Sequence, residues 1–154
     1  MPAATLSTMG ADGPRAITTE EIFADKVVVL FAVPGAFTPT CSDEHLPGFL
    51  ARGDELRHCG VDRVVCLAVN DAHVMGAWAK ARGVGDSILM LADGNGDLTR
   101  AMGLEVDLSR FGMGIRSRRY AAVVDDGQLR WLQVEPASGV TLSGAEAVLA
   151  RLRS

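Results

Sequence analysis

Long hydrophobic runs, paired cysteines and an excess of positive charge are all missing from this 154-residue sequence, and each absence excludes a class of protein. The longest uninterrupted apolar stretch, Val27 to Ala36, contains Pro34 and Gly35 and falls well short of the ~20 residues a bilayer-spanning helix needs. No membrane span or membrane partner is expected. No apolar segment of signal-peptide length precedes Arg15, the first basic residue, so "MPAATLSTMGADGP" is expected as an ordinary mobile N-terminus and the chain as cytoplasmic. Three cysteines, Cys41, Cys59 and Cys66, are an odd number and too few for a disulfide framework; a reducing compartment leaves them free for redox or nucleophilic chemistry. A formal net charge of −4, with Arg116 to Arg119 ("RSRR") as the one basic cluster, gives no electrostatic footprint for nucleic acid. The spacing of Cys41, His45, Cys59, Cys66 and His73 matches no zinc pattern. "GNG" and "GMG" read as turns, because neither joins a strand to a helix at a phosphate-cradling spacing. Neither a metal nor a cofactor is expected.

What is present is apolar material, 48% of the chain, enough for the core of a single domain spanning 1–154. No repeat, low-complexity tract or linker divides it. "KVVVLFAV" (Lys26 to Val33) and "RVVCLAV" (Arg63 to Val69) are apolar at successive positions, as strands covered from both sides are. Between them, Leu46, Phe49, Leu50 and Leu56 stand at roughly helical spacing, with Pro47 and Gly48 predicting a bend. A second helix follows Asn70 and Asp71 and stops at Gly83; "SILMLAD" reads as a third strand, with a short helix over Leu98 to Met102. "RYAAVV" and "QLRWLQVE" flank "DDG", the pattern of an antiparallel hairpin, and an amphipathic helix over Gly144 to Leu152 closes the chain. "MGLEVDLSRFGMGIRSRR" is expected as one long irregular connection. The order β-α-β-α-β-(α)-β-β-α implies an α/β fold of thioredoxin-like type, a central mixed β-sheet flanked by helices on both faces.

Within this frame Thr38 is a candidate N-cap and Pro39 a candidate first helical residue, which puts Cys41 in the first turn of the helix after the first of these strands. Unpaired amides and the positive end of the helix dipole favour a thiolate there; Asp43 and Glu44 oppose it, so another cation is needed. At this point "VPGAFTPTCSDEHLPGF" resembles the active-site segment of the peroxiredoxins, specifically the type II or atypical two-cysteine branch, whose pattern is P-x-x-x-T-x-x-C. Pro34, Thr38 and Cys41 match it position for position, and the similarity extends through "GVDRVVCLAVNDAHVMGAW" and "RSRRYAAVVDDG". The resemblance implies a thiol-dependent peroxidase that reduces hydrogen peroxide and alkyl hydroperoxides. Cys41 would be its peroxidatic cysteine, Pro34 the shield of the sulfur, Thr38 a helix cap that also contacts the sulfur, and Arg119 the arginine of the site, with Arg118 or Arg116 as substitutes. His45, one turn beyond Cys41, either lines the pocket or is a structural histidine bonded to backbone; Phe37, Ala36, Trp78 and the Phe111 loop would supply an apolar rim.

Cys66 stands at the spacing of the second, resolving cysteine of plant-like type II members, yet it falls in the middle of an expected buried strand, so resolution and inert packing both remain open. In another branch the resolving cysteine lies in a segment similar to "GVTLSG", where this sequence has Leu142. The reductant implied is glutathione or glutaredoxin, somewhat favoured, or thioredoxin, and the resemblance implies a homodimer. The rival reading is a non-catalytic thiol redox sensor or interaction module on the same fold.

Overall fold

The computed structural model describes residues 1–154. A seven-stranded mixed sheet runs through the molecule in the order β2 (Gly13–Thr18), β1 (Thr5–Gly10), β5 (Leu89–Ala92), β4 (Arg63–Ala68), β3 (Val27–Ala32), β8 (Tyr120–Asp125), β9 (Gln128–Val134). Its centre is β3 (Val27–Ala32), parallel to β4 (Arg63–Ala68) and antiparallel to β8 (Tyr120–Asp125). Side chains alternate across a strand, so β3 feeds two cores: Val29, Phe31 and Val33 face one, Val28, Leu30 and Ala32 the other. On the first face pack α2 (Leu46–Ala51), α3 (Gly53–His58), α4 (Ala72–Ala81) and α6 (Ala145–Arg153), through Phe49, Leu56, Trp78 and Leu149; on the second, α1 (Thr19–Phe23) and α5 (Asp97–Ala101), through Ile22, Phe23 and Leu98. The mixed sheet covered on both sides is the expected architecture. The hairpin of β8 and β9 (Gln128–Val134) turns through Asp126 and Gly127, both at positive φ, the geometry that an Asp-Gly turn supplies. α4 starts where Asp71 accepts a hydrogen bond from the Val74 N–H.

Two segments differ from expectation. The N-terminus is not a mobile tail: β1 (Thr5–Gly10) and β2 (Gly13–Thr18) form an antiparallel hairpin whose β1 pairs with β5 (Leu89–Ala92). Leu6, Thr8 and Ile17 point inward and are buried, and the Thr8 hydroxyl donates to the Met90 carbonyl at 2.8 Å. The connection after α5 is also ordered, with β6 (Glu105–Asp107) and β7 (Ile115–Ser117) pairing as a separate two-stranded ribbon. Its position matters, because Arg116 of β7 reaches from it to the Pro34 carbonyl at 3.3 Å.

Candidate active site

The chain leaves the carboxyl end of β3 at Val33, turns through Pro34 to Thr38, and becomes helical at Pro39, as the Thr38–Pro39 pair predicts. Phe37 sits in this turn at φ 66° and is 54% exposed. Gly35 is tightly enclosed: a Cβ there would meet Arg116 Nη1 at 3.0 Å and Thr38 Cγ2 at 3.2 Å. The next turn, Cys41–His45, is π-helical, with the Leu46 N–H reaching back to the Cys41 carbonyl. The cause lies one residue on. Pro47 has no N–H for the Asp43 carbonyl, and widening the turn accommodates the missing bond. The bend expected at Pro47 and Gly48 therefore falls before them, and a second break follows at Arg52, where φ is −107° and ψ 12°.

Cys41 is wholly buried. Its sulfur accepts a hydrogen bond from Arg119 Nη2 at 3.0 Å, and the same guanidinium donates through Nη1 to His45 Nδ1 at 2.9 Å. Of the three basic side chains at the end of the ribbon, Arg119 reaches the thiol, Arg116 clamps the Pro34 loop and Arg118 is exposed. In the first helical turn the amides of Thr40 and Cys41 bond to no backbone carbonyl, leaving two donors beside the sulfur. Thr38 departs from expectation. Its hydroxyl neither caps the helix nor bonds the sulfur but donates its one hydrogen to the Gly35 carbonyl at 2.7 Å, leaving its lone pairs as acceptors; the Ser42 N–H bonds instead to the Thr38 carbonyl at 2.9 Å. Ser42 is held as well, accepting from Trp78 Nε1 at 3.0 Å; Trp78, expected on the rim, is instead wholly buried in the core between α4 and the sheet.

His45 is bonded to backbone, the structural alternative left open for it, and to Arg119 as well. A carbonyl only accepts and a guanidinium only donates, so the contacts of Nε2 with the Ser143 carbonyl (2.8 Å) and of Nδ1 with Arg119 dictate a neutral imidazole carrying its proton on Nε2. The ring is wedged against Phe31 at 4.9 Å between centroids. Burial, above all, lowers its pKa from 6.5 to about 4; the Arg119 charge adds to this, against the Ser143 hydrogen bond and the Glu135 charge. Above pH 6.5 His45 is neutral folded and unfolded and contributes nothing; below it the unfolded chain takes up the proton first, so stability falls until pH 4, by about 3 kcal/mol in all. Urea midpoints followed from neutrality down to about pH 5, above the carboxylate range, should show this slope in the wild type and lose it in His45→Asn. Equal slopes would exclude His45 as the titrating group.

Cys66 lies in mid-β4, paired with Phe31 and Met90, wholly buried, its thiol pushed well above the ordinary value chiefly by burial. It shares a core face with Cys41, and no disulfide joins them. Cys59 ends α3, half-buried. The largest cavity, about 400 Å³, is lined by residues such as Arg57 of α3 and Arg63 and Leu89 at the amino ends of β4 and β5, opposite to Cys41. Sequence reasoning passed over Arg116 as a clamp, Ser42 with Trp78, and Ser143; only the run "GVTLSG" had drawn attention to the last, and for a cysteine it lacks.

This arrangement holds a buried thiol against a permanent cation, in the first turn of a helix whose leading amides have no backbone partner. The Redoxin family profile matches residues 1–149. The chain is 51% identical over 157 residues to the chloroplastic peroxiredoxin-2E-2 of Oryza sativa subsp. japonica, covering 99% of this chain and 70% of that protein. It is 46% identical over 143 residues to peroxiredoxin-2C of the same plant, covering 93% of this chain and 88% of that one. Among solved structures, reduced Prx3 in complex with hydrogen peroxide from Vibrio vulnificus superimposes with a TM-score of 0.93 at 49% identity, over 98% of this chain and 94% of that one.

Proposed function

Because the chain belongs to the peroxiredoxins of the type II branch, thiol peroxidases of the redoxin family, we propose that Cys41 is the residue that peroxide oxidises, with Arg119, Thr38 and Pro34 completing the site. The observation that carries this reading is the 3.0 Å contact of the Arg119 guanidinium on the buried sulfur. The Cys41 thiolate attacks the terminal oxygen of the hydroperoxide; an S–O bond forms, the O–O bond breaks, and the alkoxide, or hydroxide from hydrogen peroxide, departs and takes a proton from water. Charge moves from sulfur to oxygen during this step, and donors already in place stabilise it. Arg119 and the first-turn amides are those donors. The Thr38 hydroxyl, its own hydrogen committed to Gly35, accepts from the peroxide O–H and so orients it.

For the return half of the cycle we favour glutathione or glutaredoxin over thioredoxin. A thiol attacks the sulfenic acid with loss of water to give a mixed disulfide, and a second thiol releases Cys41. Support comes from Cys66, whose burial in mid-strand and raised pKa suit it poorly to attack, and from Leu142 in the segment where another branch carries a cysteine. Cys66→Ser should keep the wild-type rate of first oxidation within about twofold, and its steady-state peroxide consumption with glutathione and glutaredoxin in excess. A stoichiometric Cys41–Cys66 crosslink, seen by mass spectrometry after peroxide treatment without added thiol, would overturn that route. Failure of sustained turnover with any thiol donor would instead favour a sensor.

The exposed Phe37, Phe111, Ile115 and Leu142 lie on segments that surround the site, an apolar surface in keeping with a homodimer through this side. A monomer mass by light scattering at micromolar concentration would remove that reading. Three unpaired cysteines fit a reducing compartment, and the cytoplasm is our assignment, which cell fractionation tests.

A further inference from the structure

Glu135 has no part in the chemistry above, yet it is the most heavily bonded carboxylate in the protein. Its Oε2 accepts from the backbone N–H groups of Thr141, Leu142 and Ser143 at 3.0, 2.7 and 2.7 Å and from the Ser143 hydroxyl at 2.7 Å, and its Oε1 accepts from the Thr141 hydroxyl at 2.8 Å. Burial works against ionisation, but these bonds together outweigh it and hold the carboxyl below its ordinary value. The Ser143 carbonyl, on the loop so gathered, is the one that accepts from His45 Nε2. The Glu135 backbone N–H, in turn, donates to the Arg119 carbonyl at 2.9 Å. These contacts form a closed ring: Arg119 main chain, Glu135, the 141–143 loop, His45, and back to the Arg119 guanidinium.

Resting on the assignment of Cys41 and Arg119 above, we propose that Glu135 is a positioning residue for the reacting sulfur. By fixing the Ser143 carbonyl it holds His45 in the tautomer whose Nδ1 lone pair faces Arg119, and so aims the second guanidinium nitrogen at Cys41. A guanidinium is a planar fork on a flexible stem, and anchoring one prong on a rigid imidazole restricts where the other points. Without the carboxylate, the amides of the loop have no common acceptor, the Ser143 carbonyl shifts, and His45 loses the partner that orients its ring.

The test separates positioning from mere loop stability. Glu135→Ala should slow both the first oxidation by hydrogen peroxide, in rapid mixing, and alkylation of Cys41 by iodoacetamide at neutral pH by about tenfold, with a diminished ultraviolet absorbance of the thiolate. Glu135→Gln should restore most of both rates: its carbonyl can take the four-donor position, and its amide can donate to the Thr141 hydroxyl, which then accepts. In an Arg119→Ala background, Glu135→Ala should add less than about twofold, since its effect runs through that guanidinium. A folded Glu135→Ala that oxidises and alkylates at wild-type rates, or whose effect is additive with Arg119→Ala, overturns the proposal while leaving the assignment of the site intact. Wild-type protein that alkylates as slowly as a free cysteine overturns both. Should the alanine variant fail to fold, Glu135→Asp, whose shorter side chain draws the carboxylate back from Ser143, should slow both reactions about threefold, and wild-type rates in that variant count against the proposal equally.

Discussion

Cys41→Ser should abolish the fast reaction with hydrogen peroxide, a loss of at least about 10⁴-fold in the first oxidation. Serine nearly matches the thiol in shape, so the π-helical turn, the Arg119 contact and the His45 bonds have no steric reason to change. What disappears is the nucleophile. A serine hydroxyl stays protonated at neutrality even beside a guanidinium, and oxygen does not accept a peroxide oxygen as a thiolate sulfur does. The two other cysteines offer no substitute: Cys66 is wholly buried with its thiolate disfavoured, and Cys59 closes α3 away from Arg119. Intrinsic fluorescence provides the readout, because Trp78 is hydrogen-bonded to Ser42, the residue next to Cys41. A rapid fluorescence change or peroxide loss persisting in Cys41→Ser would move the chemistry to another residue and with it every role assigned to the site.

The parts of this site that sequence made legible are those whose cause is local. β3 and β4 are recognisable because both their faces are buried, leaving successive apolar residues with no polar alternation. The helix start at Pro39 follows from backbone chemistry confined to neighbouring residues. Other features depend on atoms brought together across the chain. The hydroxyl of Thr38 has several acceptors in reach of its spacing, and only the orientation of the Gly35 carbonyl decides among them. His45 offers a pattern consistent with either a pocket or a structural role; the fold makes it serve Arg119 and Ser143 at once, from opposite ring nitrogens. The N-terminal hairpin was hidden because its exposed face is short and mixed, and its burial arises from docking β1 on β5 and α4 rather than from a run of its own. Likewise β6 and β7 have three residues each, too few for alternation to stand out from a loop. Glu135 had no signal at all, since three of its five donors are backbone amides, which any sequence from Thr141 to Ser143 would carry.

Arg119→Ala should slow the first oxidation about 100- to 1,000-fold, and the way that loss divides with pH tests the electrostatic account directly. The guanidinium acts twice. In the resting site it favours the anionic sulfur through a charge-assisted bond at 3.0 Å, and in the transition state it stabilises charge arriving on oxygen. Raising the pH repopulates the thiolate in the alanine variant and should recover the first share, while the second, the transition-state share, persists at every pH. The substitution also strips buried His45 Nδ1 of its donor, so unfolding should become easier by about 1–3 kcal/mol. Arg119→Lys should recover only part of the rate, because one ammonium on a flexible stem cannot hold both the sulfur at 3.0 Å and the imidazole at 2.9 Å as a planar fork does. A variant whose rate returned fully to the wild-type value at alkaline pH would confine Arg119 to ionising the thiol. The charge on the departing oxygen would then rest on the Thr40 and Cys41 amides alone: the cation would ready the sulfur, and the helix start, not the cation, would stabilise the transition state.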